Sequence, residues 1–447
     1  MATALIILGA GMGKRMDSDL PKVLHPIAGA PMLVHAMKSG AAIEPEHTVV
    51  VAGHGAALVE IATKAYDPDV TVVIQSEQLG TAHAVSQARD ALAGFDGDAL
   101  VLYGDTPFIS PETLTAMTAA RLTHDIVVLG FKAANAGRYG RLILKDDQLD
   151  RIVEFKDATD KERAVSLCNS GVVSANAATL FDLIDAVGND NTAGEYYLTD
   201  IVGIARARGL SATVVRCDEA ETLGINSRAE LAQAEALFQK NARQMAQADG
   251  VTLIAPDTVF FAHDTVIGRD TVIEPHVVFG PDVTIESSTT IRAFSHLEGC
   301  HVSRGSVVGP YARLRPGAEL AENVKVGNFV EIKNAQIAAG AKVNHLSYIG
   351  DATIGARSNI GAGTITCNYD GVFKHHTTIG EDVFVGSNTM LVAPVTVGDA
   401  AMTASGSVVT RDVPAGDLAV GRARQENKAG LAVRLFDKLR TLKAKGS

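Results

Sequence analysis

The chain has 447 residues, 47% of them apolar and 20% charged, which is too long for one ordinary core and predicts two or three folded domains. Its net charge of −11 excludes general binding to nucleic acid or to an anionic membrane, both of which need a basic face, so any phosphate site must be local. Four cysteines, Cys168, Cys217, Cys300 and Cys367, lie far apart without a C-x-x-C pair, a usage that fits a reducing cytoplasm rather than a disulfide scaffold.

No basic segment precedes the first apolar run, so the amino terminus does not read as a signal peptide. That run, Ala4 to Leu8, has the composition of a strand buried on both faces, and it stops at Gly9, Gly11 and Gly13. Glycines let the backbone N–H groups of a tight turn approach an anion closely. Arg15 and Lys22 add positive charge, and the stretch reads as a triphosphate site. It is not a Walker loop: Lys14 comes one residue early and Arg15 stands where Ser or Thr is needed. Nor is it a dinucleotide fingerprint, because the third glycine is early and no acid follows about 20 residues on. The glycines alone fit a plain strand-to-helix turn equally well; their combination with Leu20-Pro21-Lys22 favours the anion site.

Strands are predicted over 48–52, 70–74, 99–103 and 126–131, alternating with helices over 32–41, 54–64, 82–93 and 111–122. This alternation predicts a mostly parallel α/β sheet, whose ligands gather at the carboxyl ends of the strands. Gly104 and Asp105 fall at such an end. An aspartate there is commonly a turn residue, but a hard oxygen donor also suits Mg²⁺ among phosphates. From Ser227 to Asp249 the sequence is rich in Ala, Gln, Glu and Lys without Gly or Pro, which predicts a helix linking two domains. The predicted organisation is therefore residues 1–228, a helical linker 229–249, and a second domain 250–447.

A period of six begins after Val251: Ile267, Ile273, Phe279, Ile285, Ile291 and Leu297, continuing through Val308 to Ile360 and again from Ile379 to Val397. Each hexad makes one short strand and turn, and three close a triangular coil with the apolar residues inside, a parallel β-helix. The interruption at 366–378 is a loop ejected from a regular coil, where function collects. The weakly polar stretch 391–409 contains Pro394, Asp399 and two glycines within this register, so it is not read as a membrane span. Residues 431–445 form a basic helical tail. His345, taken singly among thirteen histidines, reads as a solvated or hydrogen-bonded structural residue. His375 and His376 read as loop polarity rather than a metal pair.

The pattern G-x-G-x-R followed by L-P-K resembles that of the sugar-nucleotide pyrophosphorylases, whose fold is a Rossmann-like nucleotidyltransferase domain. By that resemblance Leu8, Gly9, Ala10 and Gly11 hold the nucleotide, Arg15 the leaving pyrophosphate, and Lys22 the charge at the α-phosphorus. Asp105 and Asn226 of Gly224-Ile225-Asn226 would bind Mg²⁺, and Gln75, Gly80 and Thr81 would read uracil beside Tyr103 and Gly104. Gly140, Glu154 and Asn169 would meet the sugar. The six-residue period is similar to that of the hexapeptide-repeat acyltransferases, which implies a left-handed coil and trimers with acyl sites between coils. Segments such as YARLRPGAEL, VGNFVEIKNA, HLSYIGDA and NIGAGTITCNYDG together resemble the bacterial bifunctional enzymes that acetylate glucosamine 1-phosphate with acetyl-CoA and then uridylylate it with UTP.

That resemblance implies His345 as general base; Glu331, two residues before Lys333, is a candidate to orient or tune it. It also implies Arg315, Lys333, Tyr348, Asn359, Asn368, Tyr369 and Lys374 on the sugar phosphate, and Ala362, Ser387, Ser405 and Arg422 on acetyl-CoA. It implies a cytoplasmic homotrimer that makes a cell-wall precursor. Two other readings share the architecture: a pyrophosphorylase with a purely structural β-helix, and a non-catalytic regulatory subunit.

Overall fold

A computed structural model of the chain describes residues 2–11 and 13–446, Lys14 by its backbone alone. Two compact units are present, Met1–Ala242 and Arg243–Ser447.

The first unit is built on a nine-stranded sheet. Strand Thr3–Gly9 lies at its centre and pairs in parallel with His47–Ala52 on one side and Asp98–Tyr103 on the other. Side chains alternate across a strand, so Ala4, Ile6 and Leu8 enter one core while Leu5 and Ile7 enter the other. This explains why the run is continuously apolar. The carboxyl ends Gly9, Ala52 and Tyr103 consequently fall along one edge. Strand Leu167–Asn176 runs antiparallel between Asp98–Tyr103 and Ile126–Lys132, with its register broken between Asn169 and Val173.

Helices Met32–Ala41 and Pro111–Arg121 form where the sequence places them. In the second, Pro111 occupies the first turn and the Ser110 hydroxyl accepts from Thr113 N–H at 3.2 Å. The helix predicted from 54 begins at Ala56, because Gly55 precedes it in the left-handed conformation, φ +66°. The helix predicted over 82–93 is broken into Thr81–Ser86 and a 3₁₀ turn, Asp90–Leu92, a tighter winding that keeps Leu92 in the core with Ala88.

Helix Arg228–Ala248 spans the division between the units. Beyond it the second unit is a left-handed parallel β-helix. Successive coils align Ile273, Ile291, Val308, Val326, Val343, Ile360 and Val385 in one buried column. Ile285, Val302, Leu320, Ile337, Ile354, Ile379 and Val397 form a second column, and Phe279, Leu297, Leu314, Ile332 and Ile349 a third.

The coil corners use left-handed backbone, as at Asp270, Asp282 and Ser288. Aspartate, asparagine and serine adopt it at modest cost; bulky residues rarely do. Yet Phe294, Tyr311, Phe329 and Leu346 all have positive φ at one corner and are exposed. The rings of His276, Phe294, Tyr311 and Phe329 stack in that order at centroid separations of 4.8, 4.9 and 5.3 Å, and Leu346 follows at the next coil. The coil is interrupted between strands Ile365–Cys367 and Thr377–Ile379 by a loop closed through a Tyr369–Lys374 bridge. Helix Leu431–Lys445 is almost wholly exposed. Among the described residues, no helix is long and apolar enough to cross a membrane.

Candidate functional sites

In the first unit a cavity of about 280 Å³ opens at the carboxyl edge of the sheet. Leu8, Ala10, Gly11, Lys22, Gln75, Gly80, Thr81, Tyr103 and Asp105 line it, together with Glu195, which the sequence reading does not single out. Gly13 shapes the approach. Its φ is +58°, and a Cβ there would lie 2.6 Å from Cβ of Lys22, so the turn closes on Lys22 only with glycine. Gly9, by contrast, would place a Cβ at an ordinary 3.4 Å from the Val51 carbonyl. Arg15 lies exposed on the turn Lys14–Met16, apart from the residues that line the cavity.

Lys22 is buried, and its ammonium contacts the Asp105 carboxylate and donates to Asn226 Oδ1 at 2.6 Å. Two segments distant in sequence are tied together here, since Ile225 N–H also donates to the Asp105 carbonyl at 3.0 Å. Asn226 is held by its own N–H, which donates to Glu230 Oε2 at 2.7 Å, and by Nδ2, which donates to the Gly224 carbonyl at 3.2 Å. The amide oxygen is thereby turned towards Lys22. Two hard oxygen donors converging on one cation fit a divalent metal whose remaining positions are filled by water and phosphate.

Tyr103 is half-buried between this cavity and a smaller one that Asn169 lines. Burial pushes its phenol well above the usual range, and the charges of Asp105 and Glu154 push it the same way. Gly140 sits against Glu154 and Asn169: a Cβ there would be 3.4 Å from Glu154 Oε1 and 3.6 Å from Asn169 Cβ. Gly104 continues the strand edge, its N–H donating to the Leu8 carbonyl at 2.9 Å. Glu154 accepts from Thr199 Oγ1 at 3.2 Å. Burial raises its carboxyl above the ordinary value, and Asp200, Asp157 and Glu195 add to the effect against the Thr199 hydroxyl.

In the second unit His345 is exposed at a coil corner, in register with Asn328 one coil earlier. Nδ1 of His345 lies 2.8 Å from Asn328 Oδ1. An acceptor at that position fixes the hydrogen on Nδ1 and leaves the Nε2 lone pair free to act as a base. Glu331, which the sequence offered for this role, instead accepts from Arg315 Nη1 at 2.7 Å. The buried Nε of Arg315 has no hydrogen-bond partner among the described residues.

Tyr348 stands in register with Glu331, and its hydroxyl packs where a Cβ on Gly350 would intrude at 2.4 Å. Lys333 is in register with Gly350. Asp351, also missed by the sequence reading, accepts from Asn334 Nδ2 at 2.6 Å and from Asn368, and lies 4.0 Å from the Lys374 ammonium. Burial works against the Asp351 carboxylate, yet the two amides with Lys374 and Lys333 outweigh it and hold its pKa below the usual range. Lys374 also lies over the Tyr369 ring at 5.8 Å.

Register carries the column of His345 forward. Val343, Ile360, Val385 and Thr403 align, so the residues two places on, His345, Ala362, Ser387 and Ser405, occupy successive coils at one corner. Arg422 reaches the same corner, its Cδ 3.7 Å from where a Cβ on Gly406 would stand. Asn359 stands apart from this column, paired with Lys342 and Phe384. The spacing of one coil, 17 residues from Asn328 to His345, is the sequence signal that would have found Asn328.

Family models match three parts of the chain: a MobA-like NTP transferase domain over 5–170, the bacterial transferase hexapeptide (six repeats) over 264–299, and a GMPPB C-terminal domain over 299–406. The chain is similar along its whole length to proteins called "Bifunctional protein GlmU". The one from Ruegeria sp. (strain TM1040) is 68% identical over 99% of both chains. That of Roseobacter denitrificans is 67% identical over 100% of this chain and 99% of its own, and that of Ruegeria pomeroyi 69% over 99% of both.

The raised carboxyl of Glu154 gives a signed pH dependence. As pH falls, Glu154 takes up its proton above the ordinary value of 4.5, so any ligand group that donates to it loses a charged acceptor early. The KM for a sugar phosphate at the first site is expected to rise on that acid limb, and Glu154→Gln to flatten it in a pH profile. At the second site Asn328→Ala is expected to lower kcat for acetyl transfer by about tenfold with KM nearly unchanged, the equivalent of one lost hydrogen bond. Asn328→Asp, which keeps the acceptor, restores it.

Proposed function

Because the chain belongs to the family of bifunctional GlmU proteins, we propose that the cavity at Lys22 and the corner at His345 are its uridylyltransferase and acetyltransferase sites. The chain is an enzyme with two transferase activities. It moves the acetyl group of acetyl-CoA to the 2-amino group of glucosamine 1-phosphate. It then joins the resulting N-acetylglucosamine 1-phosphate to the uridylyl group of UTP, releasing pyrophosphate and yielding the cell-wall precursor UDP-N-acetylglucosamine.

The observation that carries the assignment of the first site is the convergence of Asp105 and Asn226 on a buried cation beside a cavity at the strand ends. Nucleotidyl transfer in this family requires a divalent metal; the hard oxygen donors support Mg²⁺, held by Asp105 and Asn226. When bound, it supplies neutralisation of the triphosphate charge. Attack by a sugar phosphate oxygen on the α-phosphorus brings two anions together, so positioning and charge neutralisation dominate. Lys22 is placed to hold the charge at the α-phosphorus. Arg15, exposed on its turn, reaches for the leaving pyrophosphate, and Gly11 and Ala10 offer backbone at the entrance. Glu154, Asn169 and Gly140 take the sugar, with Gln75, Gly80 and Thr81 on the base.

At the second site His345 Nε2 removes the proton from the 2-ammonium, freeing the amine to attack the thioester carbonyl; Asn328 keeps the ring in the tautomer that can do so. Arg315, Lys333 and Lys374 supply the positive field for the sugar phosphate, while Tyr348, Asn359, Asn368 and Tyr369 orient the sugar. Acetyl-CoA runs along Ala362, Ser387 and Ser405 towards Arg422. An exposed base needs a wall, and the uncovered aromatic stack at Phe294, Tyr311 and Phe329 leads directly to Leu346, the neighbour of His345. That face supports a homotrimer in which another copy completes each acetyl-transfer site. Four unpaired cysteines support a cytoplasmic location.

Mass spectrometry of products from glucosamine 1-phosphate, acetyl-CoA, UTP and Mg²⁺ tests the assignment. Asp105→Ala is expected to stop at N-acetylglucosamine 1-phosphate, and His345→Ala to yield UDP-N-acetylglucosamine only when the acetylated sugar phosphate is supplied. A folded variant that lost both activities would refute separate sites. Phe329→Asp is expected to dissociate the trimer in sedimentation and lower acetyl transfer by about tenfold or more, since it buries a charge in the contact, while uridylyl transfer is retained.

A further inference from the structure

Gln75 is 3% exposed and lines the cavity of the first site. Its amide nitrogen lies 3.2 Å from the Gly80 carbonyl oxygen and 3.0 Å from Nδ1 of His83. A primary amide has two N–H hydrogens and one oxygen. Both hydrogens are therefore engaged inside the protein, and Oε1 is all that the side chain has left for a ligand. Turning the amide over would set Oε1 against the Gly80 carbonyl, acceptor against acceptor, and against a ring nitrogen whose lone pair points the same way.

Resting on the reading that Gln75 meets the nucleotide base, we infer that His83 is a positioning residue that sets which pyrimidine the site accepts. By accepting a hydrogen bond at Nδ1 it holds Oε1 of Gln75 towards the base, and the base must then carry a hydrogen at ring position N3. Uracil does. Cytosine has a lone pair at N3 and meets Oε1 acceptor to acceptor, so selectivity comes as much from repulsion of the wrong base as from a bond to the right one.

The local structure keeps His83 in this role. It sits on the short helix Thr81–Ser86, whose first residues are braced from outside: Ala82 N–H donates to the Tyr196 carbonyl at 3.0 Å, and Tyr196 N–H to the Leu79 carbonyl at 2.8 Å. Gly80 has φ +121°, and a Cβ there would lie 2.5 Å from the Tyr196 carbonyl oxygen, so the loop that offers the Gly80 carbonyl to Gln75 depends on glycine. On the far side of the ring, the Gln87 amide nitrogen lies 3.3 Å from Nε2 of His83, and its hydrogens are engaged by the His83 carbonyl at 3.0 Å and Ser86 Oγ at 3.2 Å, so the ring hydrogen sits on Nε2 while the Nδ1 lone pair faces Gln75. Gln87 therefore does not compete for Nδ1.

The test compares kcat/KM for UTP with kcat/KM for CTP in the full-length enzyme, with acetyl transfer by the same preparation as the check on folding. His83→Phe keeps the ring and removes the acceptor; it is expected to lower the UTP-to-CTP ratio by about tenfold, the scale of one hydrogen bond. His83→Ala, which adds no bulk, should give the same loss. His83→Asn, whose Oδ1 can stand in for Nδ1, should keep the ratio within about threefold of the parent, a rescue that a merely structural role would not produce. If His83→Phe and His83→Ala keep the parental ratio while Gln75→Ala loses it, the role of His83 is overturned and Gln75 stands as base reader. If Gln75→Ala keeps the ratio as well, the underlying reading of Gln75 falls with it.

Discussion

Parallel strands held in register bring their ends into register too, and both halves of this protein depend on that constraint. In the first unit the pairing of Thr3–Gly9 with His47–Ala52 and Asp98–Tyr103, and of His47–Ala52 with Thr71–Ile74, puts the glycine turn, Gln75 and Asp105 on one edge without any of them being close in sequence. In the second unit the same geometry repeats along the coil, so that Asn328, His345, Ala362, Ser387 and Ser405 form a line because Val326, Val343, Ile360, Val385 and Thr403 do. The apolar columns are thus more than filling. A shift of one residue in any coil would turn a buried isoleucine outwards and carry the polar column out of line with it.

Placing charge on such a frame raises a solvation problem, and each site answers it by compensation. Lys22 is buried, and a buried ammonium needs partners; Asp105 and Asn226 meet it from two directions. Asp351 is buried likewise and is stabilised by two amides and two ammoniums. Glu154 lacks such partners, has acids for neighbours, and its carboxyl pKa is raised accordingly. In a protein of net charge −11 the positive charge is local: Lys333 and Lys374 act on Asp351, and Arg315 pairs with Glu331.

The sequence made plain whatever follows from a period or from a local pattern. Six-residue spacing is enough to infer the columns, and the apolar run before Gly9 is enough for a doubly buried strand. The helix over 82–93 could not be read as broken, because its composition is helical throughout and the tighter winding at Asp90–Leu92 answers to the core beneath it. Asn328 and Asp351 were invisible for a different reason. Their roles depend on a partner one coil away, and a list of motifs read along the chain does not say which residue of the next coil lies opposite. Glu331 shows the resulting error. It stands two residues before Lys333, which suggests a place in the same site as His345, but the coil presents it to Arg315.

The same argument bears on the corner residues. A left-handed conformation is ordinarily left to glycine, asparagine or aspartate, and where a fold tolerates a ring there something else must favour the ring. Phe294, Tyr311 and Phe329 stack on one another at separations near those of aromatic pairs in cores, yet one side of the stack is open. Further along the same corner the aromatic series ends at Leu346 and the equivalent places are taken by Gly363, Asn388 and Gly406, beside the column of small residues that follows His345. Bulk thus lies on one side of His345 and room on the other. The proposed contact with another copy up to His345, and the proposed path of acetyl-CoA beyond it, fit that order of residues.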